Sequence, residues 1–337
     1  MRLLSRDASS RLSLAPTSCT PPNRRAAIAL GLALVFGPGI ARAEPSAASA
    51  GRGAVTLADG RRIEYSEYGD PRGPLVLFFH GTPGSRFDGR VVADEARRAG
   101  IRLVAPNRPG IGGSTFAPRR TILDWPGDVA QLVDALAGKG AKFGVVGMSG
   151  GTPYALACAK VMPNRVTHLV LASSYAPREA PVPRGSVDRT LDFLERRPRL
   201  SETGVGVMRR RLDKKPQSVV ERIAASWSPR EQQAVLSSPR LRDDIAATLE
   251  EATLRGSAGV VHDARLLGAN WGFRVSEAAT VPIAIYHGGD DAVAPAEMAQ
   301  WLHAQLPGSK LSIAPPSGHV TLMLSHAGEM FARFTAD

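Results

Sequence analysis

Residues 145–151 have the sequence Val145-Val146-Gly147-Met148-Ser149-Gly150-Gly151. Two β-branched residues run into a Gly-x-Ser-x-Gly motif, and small, helix-compatible residues follow from Thr152 to Val161. This order predicts a strand that turns sharply into a helix and leaves a serine at the apex of the turn. The glycines two positions before and after the serine leave room for its strained backbone. Ser149 is therefore a candidate nucleophile, although the same motif also occurs in ordinary glycine-rich turns.

Apolar runs and helical patterns alternate on both sides of this motif. A β-hairpin is predicted around Ala58-Asp59-Gly60, and one helix is predicted from Phe87 to Arg98. Continuous apolar runs are typical of strands that are buried on both faces of a parallel sheet. Such strands are predicted at Leu75–Phe79, Ile101–Ala105, Phe143–Met148, Val166–Ala172, Val281–Tyr286 and Lys310–Ile313. The alternation predicts an α/β fold with a doubly wound, mostly parallel sheet.

The alternation stops after Tyr175 and resumes near Trp271. The residues between them contain helical segments only, which are separated by prolines. We interpret this segment as an all-helical cap inserted into the α/β core. The predicted boundaries are 54–176 for the first part of the core, 177–272 for the cap and 273–337 for the second part of the core.

The first 43 residues have the pattern of an export signal rather than of a folded segment. Arg24 and Arg25 precede an apolar run at Ala26–Ile40, and Ala41-Arg42-Ala43 is a small-x-small cleavage site. The arginine pair is a loose match to a twin-arginine signal. The run is shorter than the about 20 residues that span a bilayer, so we expect no stable membrane anchor. The mature protein would be periplasmic or secreted; a misassigned start would make it cytoplasmic. Residues 44–53 are predicted to form a linker.

Composition limits the classes of function that are available. A chain of 337 residues with 43% hydrophobic residues is large enough for one α/β domain plus an insertion. Residues 1–43 hold six Arg and one Asp of the 42 basic and 31 acidic residues, so the mature chain has a net charge of +6. No basic stripe interleaved with aromatic residues occurs, which argues against nucleic-acid binding. Because no metal-ligand spacing and no phosphate loop occur, we expect no cofactor and no metal. Nothing indicates the oligomeric state.

Several motifs together resemble those of the α/β-hydrolase fold superfamily, and in particular those of its serine hydrolases with a helical cap. They are His80-Gly81-Thr82-Pro83-Gly84, Arg108-Pro109-Gly110, Gly147-Met148-Ser149-Gly150-Gly151, His287-Gly288-Gly289-Asp290-Asp291 and Ser317-Gly318-His319. The resemblance extends from about Val55 to the end of the chain. It implies that a nucleophile, an acid and a histidine act together and follow in that order along the chain.

His319 is the best candidate for the general base. Its ordinary pKa lies near neutrality, and it follows a strand and a Ser-Gly turn, from which it could reach over the carboxyl edge of the sheet. The other six histidines fit this role less well; they are His80, His168, His262, His287, His303 and His326.

The resemblance also implies the acid and the oxyanion-binding groups. The acid of the superfamily lies three residues after the glycine that ends its strand, and counting from Gly288 gives Asp291. Asp290 would then be a turn residue; an acid at the end of the Val166–Ala172 strand is the alternative. One oxyanion donor should be the N–H of Gly150, and by resemblance the second is that of Thr82. Two other charged residues, Arg108 and Asp128, are interpreted as members of ion pairs that brace loops.

These residues predict a serine hydrolase that cleaves a small carboxylic ester through an acyl-enzyme intermediate. A serine nucleophile excludes the aspartate-nucleophile branches of the superfamily. Thioesterase, peptidase and C–C bond hydrolase activities on the same triad are alternatives, and so is a non-catalytic protein that binds a small ligand.

The cap should roof the serine and supply apolar walls for the substrate. Candidate wall residues are Phe193, Leu194, Met208 and Trp227. Residues 177–274 contain 18 Lys/Arg and 13 Asp/Glu, and this excess predicts a preference for neutral or anionic esters.

Overall fold

The computed structural model describes residues 51–335, except the side chains of residues 187, 189–190, 194–195 and 198–199. The predicted signal peptide and residues 44–50 of the predicted linker lie outside this range. Eight strands within it form one sheet: β1 Gly51–Thr56, β2 Arg62–Gly69, β3 Leu75–Phe79, β4 Arg102–Pro106, β5 Phe143–Met148, β6 Val166–Ala172, β7 Ile283–Gly288 and β8 Lys310–Ala314.

The strands lie in the order β1-β2-β4-β3-β5-β6-β7-β8. β2 pairs with β1 and β4 in antiparallel fashion, and every pairing from β4 to β8 is parallel. All five residues of β3 are buried, as expected for a central strand covered on both faces. The predicted α/β class with a mostly parallel, doubly wound sheet is therefore confirmed.

Eleven α-helices are present in the described part of the chain. They are α1 Ala93–Arg98, α2 Trp125–Ala137, α3 Thr152–Val161, α4 Ser186–Arg196, α5 Pro198–Lys214, α6 Pro216–Ala224, α7 Pro229–Ser237, α8 Pro239–Ala252, α9 Ala258–Gly268, α10 Ala296–Gln305 and α11 Thr321–Phe331. None of these helices is both long and apolar enough to cross a membrane.

The core consists of one apolar layer on each face of the sheet. Side chains of α2, α3 and α10 pack with Leu77 and Val145 on one face. Side chains of α1 and α11 pack with Val76 and Val146 on the other. Because neighbouring strand residues point to opposite faces, each central strand contributes to both layers.

Several strand ends differ from the predicted ones by one or two residues, and two expectations need a larger correction. β1 begins at Gly51, inside the predicted linker 44–53. The single helix predicted over Phe87–Arg98 is a 3₁₀ helix at Arg86–Val92 followed by α1. Gly89 interrupts the helical propensity of this segment, and a Cβ atom there would lie 2.6 Å from the ring of Tyr68.

The segment between β6 and β7 contains α4 to α9 and no strand. Four of these helices, α5 to α8, begin with a proline, where the missing N–H costs no hydrogen bond. The proline-separated pattern of the sequence therefore marks real helix starts. We refer to residues 186–268 as the helical insertion.

Candidate active site

Ser149 lies in the sharp turn between β5 and α3. Its φ is +51°, in the left-handed region that a non-glycine residue adopts only under constraint. A Cβ atom on Gly147 would lie 2.6 Å from Cβ of Ala155, and one on Gly151 would overlap the carbonyl oxygen of Phe79. The two flanking glycines therefore let α3 approach the sheet closely, and this approach holds the serine at the apex.

His319 and Asp291 meet at the carboxyl edge of the sheet, after β8 and β7. Nδ1 of His319 lies 2.7 Å from Oδ2 of Asp291. An ionised carboxylate only accepts hydrogen bonds, so Nδ1 of His319 donates and its Nε2 is left to act towards the cavity. The backbone N–H groups of Val293 and Ala294 both donate to Oδ1 of Asp291, at 2.9 Å each. These bonds hold the carboxylate in one orientation.

The electrostatics of the pair favour a charged imidazole. Burial works against ionisation of Asp291, but the nearby His319 and His287 hold the pKa of its carboxyl below the ordinary value. Burial alone would lower the pKa of His319; the charge and hydrogen bond of Asp291 outweigh it and raise that pKa. Glu231 and Asp88 add smaller contributions in the same direction.

His287 supports the carboxylate from its other side. Its Nδ1 accepts the N–H of Ser174 at 3.1 Å, so the proton of the neutral ring is on Nε2. That nitrogen lies 2.8 Å from the carbonyl oxygen of Ala294 and 3.3 Å from Oδ2 of Asp291. The structure thus brings Asp291 to His319. The residues that follow β6 are serines, of which Ser173 donates from Oγ to the carbonyl oxygen of His319 at 2.7 Å.

The two predicted oxyanion donors are neighbours. A Cβ atom built on Gly150 would lie 3.0 Å from the backbone nitrogen of Thr82. The N–H of Thr82 has no hydrogen-bond partner within residues 51–335. The N–H of Gly150 lies in the first turn of the helical segment after Ser149, where N–H groups have no intrahelical partner. Both N–H groups are therefore free to bind an anionic oxygen beside Ser149.

A buried ion pair fixes the loop that carries Thr82. The fully buried Arg108 donates to the carbonyl oxygens of His80 at 2.7 Å and Gly81 at 2.8 Å, and to Oγ1 of Thr82 at 3.0 Å. Its Nε donates to Asp263 of α9 at 2.7 Å. Arg108 is thus a loop-bracing residue, as predicted. Likewise Asp128 pairs with Arg61 at 2.6 Å.

His80 is a structural residue of the same loop. Its Nδ1 lies 2.9 Å from the carbonyl oxygen of Gly81, and its Nε2 accepts the N–H of Arg108 at 3.3 Å. Burial, together with the positive charge of Arg108, lowers the pKa of His80 to about 3. The ring is therefore neutral at physiological pH.

The helical insertion also reaches the loop of His319. Oε1 of Glu231, at the start of α7, accepts the N–H groups of Val320 at 2.5 Å and Thr321 at 3.0 Å. Those two groups are at the N-terminus of α11, where a negative charge is stabilised. Glu231 is 1% exposed and its Oε2 has no hydrogen-bond partner in the described structure. No local sequence signal predicted this role, because the contact spans about 90 residues of chain.

A cavity of about 800 Å³ lies beside the candidate site residues. Ser149, His319 and Thr82 line it together with apolar, polar and charged residues of both the α/β core and the insertion. The apolar lining residues from the insertion are Val207, Met208, Val219, Ile223, Trp227, Ile245 and Leu249. Of the predicted wall residues, Met208 and Trp227 line the cavity. Phe193 does not and is 47% exposed, while the side chain of Leu194 lies outside the described residues. No group of three or more potential metal-ligating side chains occurs in the part of the chain that the structure describes.

The fold agrees with the comparisons. The model of the alpha/beta hydrolase family matches residues 76–334, so the chain belongs to this family. It is 26% identical over 291 residues to a proline iminopeptidase of Xylella fastidiosa, covering 79% of this chain and 90% of that protein. Over 127 residues it is 35% identical to a bifunctional esterase/perhydrolase of Acinetobacter calcoaceticus, covering 37% of this chain and 45% of that protein.

Solved structures show the same fold. A thermophilic esterase from Thermogutta terrifontis superposes with a TM-score of 0.60 at 20% identity, covering 85% of this chain and 97% of that one. The family and the names of these relatives indicate a hydrolase.

The charge of Glu231 should be measurable at His319. We expect the pKa of His319 in the native protein to lie above its ordinary value of 6.5. In Glu231→Gln it should fall, because the neutral amide can still accept the two N–H groups but no longer favours the charged imidazole. Titration of the ¹³C-labelled histidine rings by NMR measures this directly. Glu221→Gln, an exposed carboxylate of the same insertion, is the matched control and should leave the value unchanged. An unchanged value in Glu231→Gln as well would show that the carboxylate only positions the loop.

Proposed function

We propose that this protein is a serine hydrolase that cleaves small carboxylic esters through an acyl-enzyme intermediate on Ser149. The observation that carries the proposal is the His319–Asp291 hydrogen bond of 2.7 Å at a cavity that Ser149 also lines. A serine hydroxyl is a weak nucleophile unless a base takes its proton in the same step. In this proposal His319 is the base and Asp291 is the acid that orients it. Nδ1 of His319 is bonded to Asp291, which leaves Nε2 to take the proton of Ser149.

The reaction divides into two similar halves. In the first, Oγ of Ser149 attacks the ester carbonyl while its proton passes to Nε2 of His319. The N–H groups of Thr82 and Gly150 bind the negative oxygen of the tetrahedral intermediate. The intermediate collapses, and the imidazolium protonates the departing alcohol. In the second half, water attacks the acyl-serine while one of its protons passes to Nε2 of His319. The bond to Oγ of Ser149 then breaks, the imidazolium returns the proton to Oγ, and the carboxylic acid leaves.

The helical insertion acts as a cap over Ser149 in this proposal. It contributes about half of the apolar residues that line a cavity whose volume suits a small molecule rather than a polymer. The esterase name of the Acinetobacter relative favours an ester substrate. The proline iminopeptidase name of the Xylella relative favours amide hydrolysis as a second candidate, and the same residues would catalyse both reactions.

A series of p-nitrophenyl esters tests the substrate class. Hydrolysis should be fastest for short acyl chains and should fall for long ones, because the cap limits the space beside Ser149. The measurement is kcat/KM across the series, with a proline p-nitroanilide included as the amide. Highest activity on long-chain emulsions, or activity on the anilide with none on esters, would contradict the proposal. No turnover of any member would favour the non-catalytic binder.

Two adjacent aspartates give a matched test of the acid. Asp291→Asn should lower kcat by orders of magnitude, because an amide neither fixes the productive tautomer of His319 nor stabilises the imidazolium. Asp290→Asn removes the same charge one residue earlier from an exposed side chain and should change kcat less than about twofold. The reverse ranking, measured on the best ester, would show that Asp291 is not the acid.

A further inference from the structure

A second carboxylate faces the cavity beside Ser149, and the mechanism does not use it. Asp88 lies in the 3₁₀ helix Arg86–Val92 and lines the same cavity. Its Oδ2 accepts the N–H of Gly81 at 3.0 Å, and its Oδ1 accepts the hydroxyl of Thr248 of α8. Both partners are neutral.

Within residues 51–335 no lysine or arginine forms an ion pair with Asp88. The charge of the Arg108 guanidinium acts to lower the pKa of Asp88, but this guanidinium is already hydrogen-bonded to Asp263. Burial raises the pKa of Asp88, as expected for a charge without a close counter-ion. A half-buried carboxylate without an ion-pair partner is unfavourable unless another group supplies positive charge.

Asp88 lies close to the candidate nucleophile. A Cβ atom on Gly81 would lie 3.8 Å from Oδ2 of Asp88 and 3.9 Å from Oγ of Ser149, so the two oxygens are less than 8 Å apart. Both side chains line the same cavity. An acyl group bound at Ser149 therefore has Asp88 within reach of a short substituent.

We propose that Asp88 forms a subsite for an ammonium group, so that the preferred substrates carry a protonated amine close to the scissile carbonyl. An ammonium group in the cavity beside Asp88 would donate a charge-assisted hydrogen bond to Oδ2, which still has capacity to accept one. This inference rests on the proposed function, whose substrate class it narrows.

The other charged residues of the cavity do not give the same preference. Asp244 lies 3.8 Å from both Arg90 and Arg240, so its charge is balanced. Arg211 and Arg222 line the cavity but are exposed to solvent. Their effect on a charged ester is long-range and should be screened by salt, whereas a direct contact with Asp88 should largely survive. The positive excess of the insertion and the carboxylate beside Ser149 therefore predict opposite selectivities.

Binding to the Ser149→Ala variant tests the subsite without requiring turnover. The probes are two isosteric pairs of benzyl esters, glycine against propanoate and β-alanine against butanoate, which differ only in an ammonium or a methyl group. Isothermal titration calorimetry near neutral pH and about 0.5 M salt, where long-range charge effects are screened, measures both members of each pair. We expect at least one ammonium ester to bind about tenfold or more tightly than its methyl partner.

The Asp88→Asn substitution in the same background should abolish this preference or reverse it. Asparagine can keep both existing contacts, with Oδ1 towards Gly81 and the amide group towards Thr248, so the fold should be retained. The matched control is Asp243→Asn, which removes one exposed carboxylate from α8 outside the cavity and should leave the preference intact.

A second variant guards against a folding defect in Asp88→Asn. Gly81→Ala places a methyl group between Oδ2 of Asp88 and Oγ of Ser149, and it should weaken binding of the ammonium ester towards that of the neutral one. Equal binding within both pairs, or a preference that survives Asp88→Asn, would overturn the subsite. Absence of esterase activity in the native protein would be a separate result. It would overturn the proposed function, whereas the calorimetry would still decide whether Asp88 binds an ammonium group.

Discussion

The close approach of α3 to the sheet is the constraint on which the site depends. It forces Ser149 into a left-handed backbone conformation and requires glycine at positions 147 and 151. The strain costs of order 1–3 kcal/mol and is tolerated because the buried strands around it determine the position of both ends of the turn. The same geometry places the N–H of Gly150 next to that of Thr82. One packing arrangement therefore positions both Ser149 and the two neighbouring N–H groups.

The helical insertion contributes more than an apolar lining. It supplies a carboxylate to each of the two loops that carry candidate site residues. Asp263 of α9 holds Arg108 against the loop of Thr82, and Glu231 of α7 binds the N–H groups that follow His319. Breaking such a buried charge contact leaves the remaining partner uncompensated and is strongly destabilising. A movement of the insertion would therefore also disturb the loops that carry Thr82 and His319.

Much of this site could be predicted from local sequence. The turn at Ser149, the buried parallel strands and the position of Asp291 relative to Gly288 are set by residues within a few positions of each other. The contacts of Asp88 with Thr248, of Arg108 with Asp263 and of Glu231 with Val320 could not be predicted, since they join segments 89 to 160 residues apart. Helical periodicity likewise could not show that Phe193 faces solvent. A periodic pattern identifies the apolar face of a helix but does not identify which segment, if any, packs against that face.

Labelling with a fluorophosphonate probe is the most direct measurement of whether His319 activates Ser149. The probe forms a stable covalent bond with a serine only where a base increases its nucleophilicity. The native protein should be labelled on the peptide that contains Ser149, as located by mass spectrometry. Ser149→Ala should abolish labelling, and His319→Ala should slow it by orders of magnitude. A native protein that is folded but unlabelled, or one labelled equally well without His319, would contradict the serine mechanism.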